Sequence, residues 1–393
     1  MTTGDPALGA PPARQQRWLW LLLILLLQAV YALPRLNEPL GDGRQHYHFD
    51  TAKFMRHALN SNHAPAGQWE ARLWTGTATW TNAGDGTPAA ARYYAHHPVL
   101  SPALFRCWQR LLGRGLWVPR SFMLLQLLGA LALLFLLLDS ALQRPWLAAL
   151  LTAWYAALPL NALFGIQWKY ENGLVFWTLL AWWLALRPGR RANWLLGPAV
   201  FCWLQTEWHA HLLAAVLTLF LWIRRHENES GRRWRTAGLA MLAGAAANAL
   251  MLAWLRLDQD GSSRSLAMFI DGKFAGIGWR EWLYGQWQFA GYNFTAAGRL
   301  LLLIGVPVAA VLLYRIRAAR HAPLVWLAGS SLLASAGWMA ALARAAIWHH
   351  YYQWLAGLAL VAGMAWLLAQ VKPGRRMLLV IAGLMEVGWA IGL

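Results

Sequence analysis

The sequence predicts an all-α polytopic membrane protein with about eleven transmembrane spans, in which the first external loop carries interfacial amphipathic helices. Three observations predict it. Of the 393 residues, 59% are hydrophobic and only 13% are charged, too few charges for a water-facing surface. Apolar runs recur along most of the chain at or near the length needed to cross a hydrocarbon layer of roughly 30 Å. The basic residues behind the net charge of +18 sit in short clusters between those runs. They form no continuous patch and no nucleic-acid module, so membrane lipids rather than nucleic acid are the expected surroundings. Two cysteines, Cys107 and Cys202, cannot build a disulfide framework, and Cys202 lies inside an apolar run as a small hydrophobe.

In order, residues 1–17 read as a cytoplasmic N-terminus and 18–33 as the first span. The basic start, the leucine-rich centre and Val30-Tyr31-Ala32 also fit a cleavable signal peptide. Pro34, and the need to tether the loop that follows, favour retention. Residues 34–118 form the first external loop. Spans two to seven fill 119–255, with apolar runs at 119–138, 146–164, 172–186, 193–206, 209–223 and 236–255. Residues 256–298 form a second external loop, and 299–393 holds runs at 299–314, 323–343, 351–370 and 376–393. The two runs flanking Gln205-Thr206-Glu207-Trp208-His209 are short, and read either as half-crossings that meet below the surface or as one buried hairpin. Basic clusters at Arg14 and Arg17, Arg144, Arg187 to Arg191, Arg224 to Arg235, Arg315 to Arg320 and Lys372 to Arg376 alternate along the spans. The positive-inside rule places all six in the cytoplasm and both long loops outside.

The first external loop is long enough to hold structure. From Tyr47 to Asn60, Ala52, Phe54, Met55, Ala58 and Leu59 form an apolar stripe opposite His46, Asp50, Lys53 and His57, the pattern of a helix lying in the interface. A second helix starts with Ser101 as N-cap and Pro102 at the first helical position. Its Leu100, Leu104, Cys107, Trp108 and Leu111 would enter the lipid boundary, with Arg106, Arg110 and Arg114 at the headgroups. The stretch from Gly67 to Thr87 between them has no assignable pattern.

Asp50 reads as a salt-bridge partner of Lys53 on a solvated face, or as a functional carboxylate at the membrane surface. Tyr93-Tyr94-Ala95-His96-His97-Pro98 follows it with two histidines able to transfer protons or bind an anion. Lys169-Tyr170-Glu171-Asn172 opens the fourth span. Glu207 lies between the two short spans, and Arg344 to Tyr352, with His349, His350 and Tyr351, leads into the tenth. Singly, Lys169 and Arg344 read as snorkelling cations and the aromatics as belt residues. Together they gather carboxylates, cations and histidines on one face of the membrane, which a reaction on a lipid-linked anion requires. In the second loop, Lys273, Trp279, Arg280, Trp282, Trp287 and Tyr292 read equally as a cover over an acceptor path and as a solvated loop with interfacial aromatics.

His48-Phe49-Asp50 with the following Thr-Ala-Lys-Phe-Met-Arg-His-Ala-Leu, Tyr93 to Leu100, Tyr170-Glu171 and His349-His350-Tyr351-Tyr352 together resemble the GT-C superfamily of membrane glycosyltransferases. The likeness is greatest to the bacterial aminoarabinose transferases and protein mannosyltransferases, and it extends to the order of elements over most of the chain. It implies a GT-C-like bundle in a bacterial inner membrane, working at the external, periplasmic side. It also implies a polyprenyl-phosphate sugar donor and a lipid, glycan or protein acceptor. The family's first-loop acid serves as base for the acceptor, a role that falls on Asp50. Here Phe49 stands where the family often has a second acid, and His97-Pro98-Val99 stands where it often reads Lys-Pro-Pro.

The physical reading runs parallel. A departing phosphate gains negative charge and needs cations, for which Arg344, Lys169, His349 and His350 are candidates. Attack by an acceptor hydroxyl from the opposite face needs one carboxylate and inverts the sugar carbon. Glu171 orients the acceptor or sugar, or shares a divalent cation with Asp50; His46, His48 and Asp50 also have the chemistry of metal ligands. No Walker loop or Gly-rich dinucleotide fingerprint is present, as expected when the donor comes through the membrane. Two other readings are a transporter or flippase for a lipid-linked glycan, and a subunit that binds the carrier without catalysis.

Overall fold

The computed structural model describes residues 13–38, 80–81, 88–89, 98, 100–113, 115–167, 170–227, 230–257, 277–294, 299, 322–342, 346 and 353–370. It is an all-α membrane bundle. Its helices are α1 Ala13–Ala32, prolonged by a 3-10 turn Leu33–Asn37, α2 Leu100–Leu112, α3 Trp117–Leu142, α4 Pro145–Ala157 and α5 Pro159–Phe164. There follow α6 Tyr170–Leu186, α7 Arg190–Leu204, α8 His209–Ile223, α9 Ser230–Leu257, α10 at 279–294, α11 Pro323–Ala341 and α12 Trp354–Gln370. A two-residue antiparallel ladder pairs Trp80 with Ala89 and Thr81 with Pro88, inside the stretch without a sequence pattern. Residues 15–37, 117–142, 231–253 and 323–341 are each long and apolar enough to cross a membrane, while the apolar parts of α6, α8 and α12 are shorter. The runs at 299–314 and 376–393 and the helix at 47–60 lie outside the described residues.

The core is built around α3, whose Leu127, Leu131, Leu134, Phe135 and Leu138 are buried together with α6 and α12. A helix apolar on every side belongs in the middle of a membrane bundle, and α3 is one. The peripheral helices α1 and α9 instead leave Leu22, Leu26, Val30, Leu239, Leu242 and Leu250 exposed to the surroundings. The run at 146–164 is two helices, not one. Pro159 brings no N–H to the ladder and restricts Leu158, so α4 stops at Ala157 and α5 starts afresh.

Polar contacts separate the two ends of the bundle. At one end Arg17 Nε of α1 meets Asp139 Oδ2 of α3 at 2.8 Å. There too Arg233 of α9 donates to Asn193 Oδ1 of α7 at 2.6 Å and to the Ala185 carbonyl of α6 at 3.0 Å. This is the basic end, where the described Arg clusters gather. The opposite end holds the starts of α2, α6 and α12, the ends of α9 and α11, and the turn between α7 and α8. α1 is tied there too, since Arg35 and Tyr31 both donate to the Ala162 carbonyl at 2.5 and 3.4 Å.

The helix at 100–112 corrects two details of the sequence reading. It begins at Leu100, so Ser101 is inside the first turn and buried instead of capping it. Trp108 does not reach for lipid: its indole donates to Ser121 Oγ of α3 at 3.0 Å and its ring lies 6.3 Å from Phe122. Phe105 packs on the same ring at 5.8 Å. Leu104, Cys107, Arg110 and Leu111 are exposed.

Candidate functional site

The polar end is assembled around the short α7–α8 hairpin. Each helix has 15 residues, about 22 Å at ~1.5 Å per residue, some 8 Å short of a ~30 Å hydrocarbon layer. With both helices rooted at the basic end, Gln205–Trp208 turns below the opposite surface, as a hairpin rather than two opposed half-crossings. The sequence reading placed Glu207 among the surface groups; here Glu207 and Thr206 are 0% exposed. The reason is non-local, since α2, α9 and α11 close over the turn.

The turn is held by both backbone and side-chain hydrogen bonds. The Leu100 N–H at the start of α2 donates to the Gln205 carbonyl at 2.8 Å. Gln205 Nε2 donates to the Gly244 carbonyl of α9 at 3.1 Å, and Thr206 Oγ1 to the Trp203 carbonyl at 2.6 Å. Asn248, one turn after Gly244, donates through Nδ2 to the Leu204 carbonyl at 3.0 Å and lies 3.2 Å from His211 Nε2. His211 Nδ1 is 3.1 Å from the Trp208 carbonyl, so Nδ1 carries the proton and Nε2 accepts from Asn248. Gly244 permits this closeness: a Cβ there would stand 3.1 Å from Leu204 Cβ. Small residues of this kind are how membrane helices approach.

Within this frame Glu207 Oε1 lies 3.6 Å from His209 Nδ1, and the His209 ring stacks obliquely on Trp338 of α11 at 4.1 Å. A carboxylate and an imidazole are thus held at membrane depth next to the end of α11, three residues before Ala341 and six before Arg344. A second polar group forms where α2, α3 and α6 meet. Ser101 and Gln126 are buried, and Ser101 Oγ and Gln126 Oε1 have no hydrogen-bond partner among the described residues. Gly173 opens the space between them, since a Cβ there would meet Gln126 Oε1 at 3.1 Å and Ser101 Oγ at 3.4 Å. Glu171 stands two residues earlier on the first turn of α6.

A third network holds the entry to α12. Gln286 Nε2 of α10 donates to the Ala346 carbonyl at 2.9 Å. Gln353 Nε2 in turn donates to the Gln286 carbonyl at 3.0 Å, and Asn293 Nδ2 to Gln353 Oε1 at 3.0 Å. Trp282 of α10 donates to the Met339 carbonyl at 3.0 Å. Buried amides therefore hold Ala346, within the segment carrying Arg344, His349, His350 and Tyr351, and Gln353 just after it. Trp279, Tyr284, Trp287 and Tyr292 of α10 remain exposed.

Of the residues singled out from sequence, Glu171 falls on α6 with its backbone alone described. Asp50, His96, His97, Lys169, Arg344, His349, His350 and Tyr351 lie outside the described residues. Some of their chain neighbours have described contacts: the Leu100 N–H bonds to the Gln205 carbonyl, Gly173 lies beside Ser101 and Gln126, and Ala346 and Gln353 bond to Gln286. Gln126, His211, Asn248, Gln286 and Gln353 were not anticipated, and Ser101 and His209 only as a helix cap and as part of the polar turn; for the four amides and His211 the available signal was a lone polar residue inside an apolar run. Among the described residues no three His, Cys, Asp or Glu side chains gather to hold a metal ion.

No family model matches the chain, and no curated protein matches it significantly in sequence. Solved structures do match. The crystal structure of ArnT from Cupriavidus metallidurans in the apo state superposes with a TM-score of 0.52 at 14% identity, covering 93% of this chain and 62% of ArnT. The crystal structure of the same ArnT bound to undecaprenyl phosphate superposes with a TM-score of 0.53 at 15% identity, covering 96% of this chain and 64% of ArnT. The chain thus spans less than two thirds of the length of the structures it matches, and at these identities the likeness is one of fold. The fold of this multi-pass protein is that of these ArnT structures.

Proposed function

We propose that this protein is an integral membrane glycosyltransferase. It transfers a sugar from a polyprenyl-phosphate carrier to a lipid, glycan or protein acceptor at the external, periplasmic face of a bacterial inner membrane. The observation that carries the proposal is the ArnT fold over nearly the whole chain, one of whose solved forms binds undecaprenyl phosphate.

In this reading Asp50 takes the proton of the acceptor hydroxyl as that oxygen attacks the sugar carbon, and the carrier phosphate leaves from the opposite side with inversion. Charge builds on the departing phosphate, so cations are needed there more than an acid; Arg344, Lys169, His349 and His350 supply them, with His96, His97 and Tyr351 contributing hydrogen bonds. Glu171 orients the sugar or acceptor. The buried turn at Glu207 acts at one remove. It anchors the chain that follows His97 through the Leu100–Gln205 bond, and α11 through the His209–Trp338 contact.

The test is transfer from a radiolabelled polyprenyl-phosphate sugar by purified wild type and by Asp50→Asn. The variant should purify like wild type and lose transfer by about 100-fold or more, the scale of a general base. Undiminished transfer would remove Asp50 from the mechanism. Mass spectrometry of lipids and glycans from cells with and without the protein identifies the sugar and its acceptor. Wild type that binds the carrier and transfers nothing would favour the carrier-binding or flippase reading.

A further inference from the structure

The helix α10 at 279–294 presents three faces, and the bundle accounts for one of them. Trp282, Gln286 and Asn293, at i, i+4 and i+11, share the face turned to the protein. Trp282 donates to the Met339 carbonyl, Gln286 to the Ala346 carbonyl and Asn293 to Gln353 Oε1. Beside that face runs a stripe of Trp279, Leu283 and Trp287 at i, i+4 and i+8, and all three are exposed. Glu281, Gln288 and Tyr292 mark the third face, with Glu281 and Tyr292 exposed.

The depth of α10 follows from its anchors. α11 has 19 residues, about 28 Å at ~1.5 Å per residue, which matches a hydrocarbon layer of roughly 30 Å. Met339 stands two residues before the end of that helix, and Gln353 directly precedes α12. The bonds of α10 thus reach the end of one apolar helix and the start of the next. α10 stands at the level where hydrocarbon gives way to headgroups.

The composition of the stripe selects its occupant. Three side chains are far too few for a second copy of the chain, since a stable interface covers about 800 Å² per partner. Leu283, in the middle, has no flat face and no polar atom to offer a sugar ring, whereas acyl chains pack against it and against both indoles. Cations flank the rings. Arg280 lies 5.5 Å from the Trp279 ring centroid and Arg299 4.8 Å from that of Trp287, with the Arg299 guanidinium in the space that a side chain at Gly291 would need. Indoles with guanidinium groups beside them suit the boundary between acyl chains and headgroups.

We propose that α10 docks on the lipid bilayer itself. Its stripe of Trp279, Leu283 and Trp287 sinks about 5–10 Å into the boundary between headgroups and acyl chains, with Arg280 and Arg299 at the phosphates and Glu281 and Gln288 toward water. One helix carries both this lipid contact and the bonds to Ala346 and Gln353, so the membrane surface sets the height at which the entry to α12 is held.

The test places a nitroxide on single cysteines of the full chain, in a background of Cys107→Ser and Cys202→Ala, reconstituted in nanodiscs of phosphatidylethanolamine and phosphatidylglycerol. Power saturation compares collisions with oxygen, which concentrates in lipid, and with a water-soluble nickel chelate. A label at Leu283→Cys should meet oxygen more than nickel, as a label at Leu242→Cys on the exposed flank of α9 does. Glu281→Cys, nearly half a turn around the helix, should show the reverse. In the unmodified chain, hydroxyl-radical footprinting in the same nanodiscs should oxidise Tyr292 and spare Trp279 and Trp287. Nickel access at 283 equal to that at 281, or oxidation of both tryptophans as heavy as that of Tyr292, would overturn the proposal and leave the stripe open to a soluble glycan. Shielding of 283 from oxygen and nickel alike would overturn it in favour of a protein partner.

Discussion

Replacing Glu207 by leucine tests whether the buried carboxylate is there for packing or for function. Its Oε1 lies 3.6 Å from His209 Nδ1, with both side chains almost wholly buried. For a fully charged pair at that separation, an effective dielectric of about 20 gives roughly 5 kcal/mol of attraction, from which desolvation must be subtracted. Removing one partner while the other stays buried costs about 3–5 kcal/mol in well-formed pairs. Because 3.6 Å is longer than a hydrogen bond, we expect a cost at or just below the bottom of that range, about 2–3 kcal/mol. Glu207→Leu should therefore melt well below wild type in detergent. Glu207→Leu with His209→Phe, which keeps an aromatic ring on Trp338, should recover most of the loss, since an apolar replacement of a buried pair is often neutral or better. If the pair positions the turn through its charges, sugar transfer stays low in the double variant although stability returns. A Glu207→Leu protein as stable and as active as wild type would refute the whole line of reasoning.

The other expectations concern single polar contacts. Asn248→Ala removes two interhelical bonds of α9, each worth about 0.6 kcal/mol in membrane bundles, and should cost about 1–2 kcal/mol by thermal melting. Arg17→Ala leaves Asp139 buried without its cation; since Arg17 is partly exposed, about 1–3 kcal/mol is expected, and Asp139→Leu in the same chain should restore it. Gln353→Leu should lower transfer more than it lowers the melting temperature, because the amide network holds the Arg344-to-Tyr352 segment at Ala346 and at its end by Gln353; equal activity would separate that segment from the chemistry.

The span positions were legible because hydropathy is a local property: the runs at 119–138, 209–223 and 323–343 lie on α3, α8 and α11. Alternating basic clusters likewise anticipated that Arg17, Arg224 and Arg233 would share one end. The depth of Glu207 was legible only in part. The shortness of the runs on either side already allowed a turn below the surface, but the closure of that turn by α2 at Gln205 does not follow from the residues around the glutamate. Asn248 and Gln353 escaped for a related reason. One amide in an apolar run looks the same whether it faces lipid, a helix backbone or a substrate, and only its partners decide. The break at Pro159 could be read from proline chemistry, whereas Pro198 lies inside α7 without ending it.

The shortness of the α7–α8 hairpin also concerns the lipid around it. Trp194, Leu195 and Phe201 on one helix and Leu212, Leu219 and Trp222 on the other are exposed, so this flank meets the bilayer directly. A 22 Å hydrophobic face in a ~30 Å layer is a hydrophobic mismatch, relieved by local thinning at fractions of a kcal/mol per Å. Thinning of that kind brings the headgroups beyond the turn closer to the level of Glu207 along this flank. Bilayer thickness thereby becomes a variable of the protein: under the proposed function, it sets how far the carrier phosphate must descend to reach the polar layer.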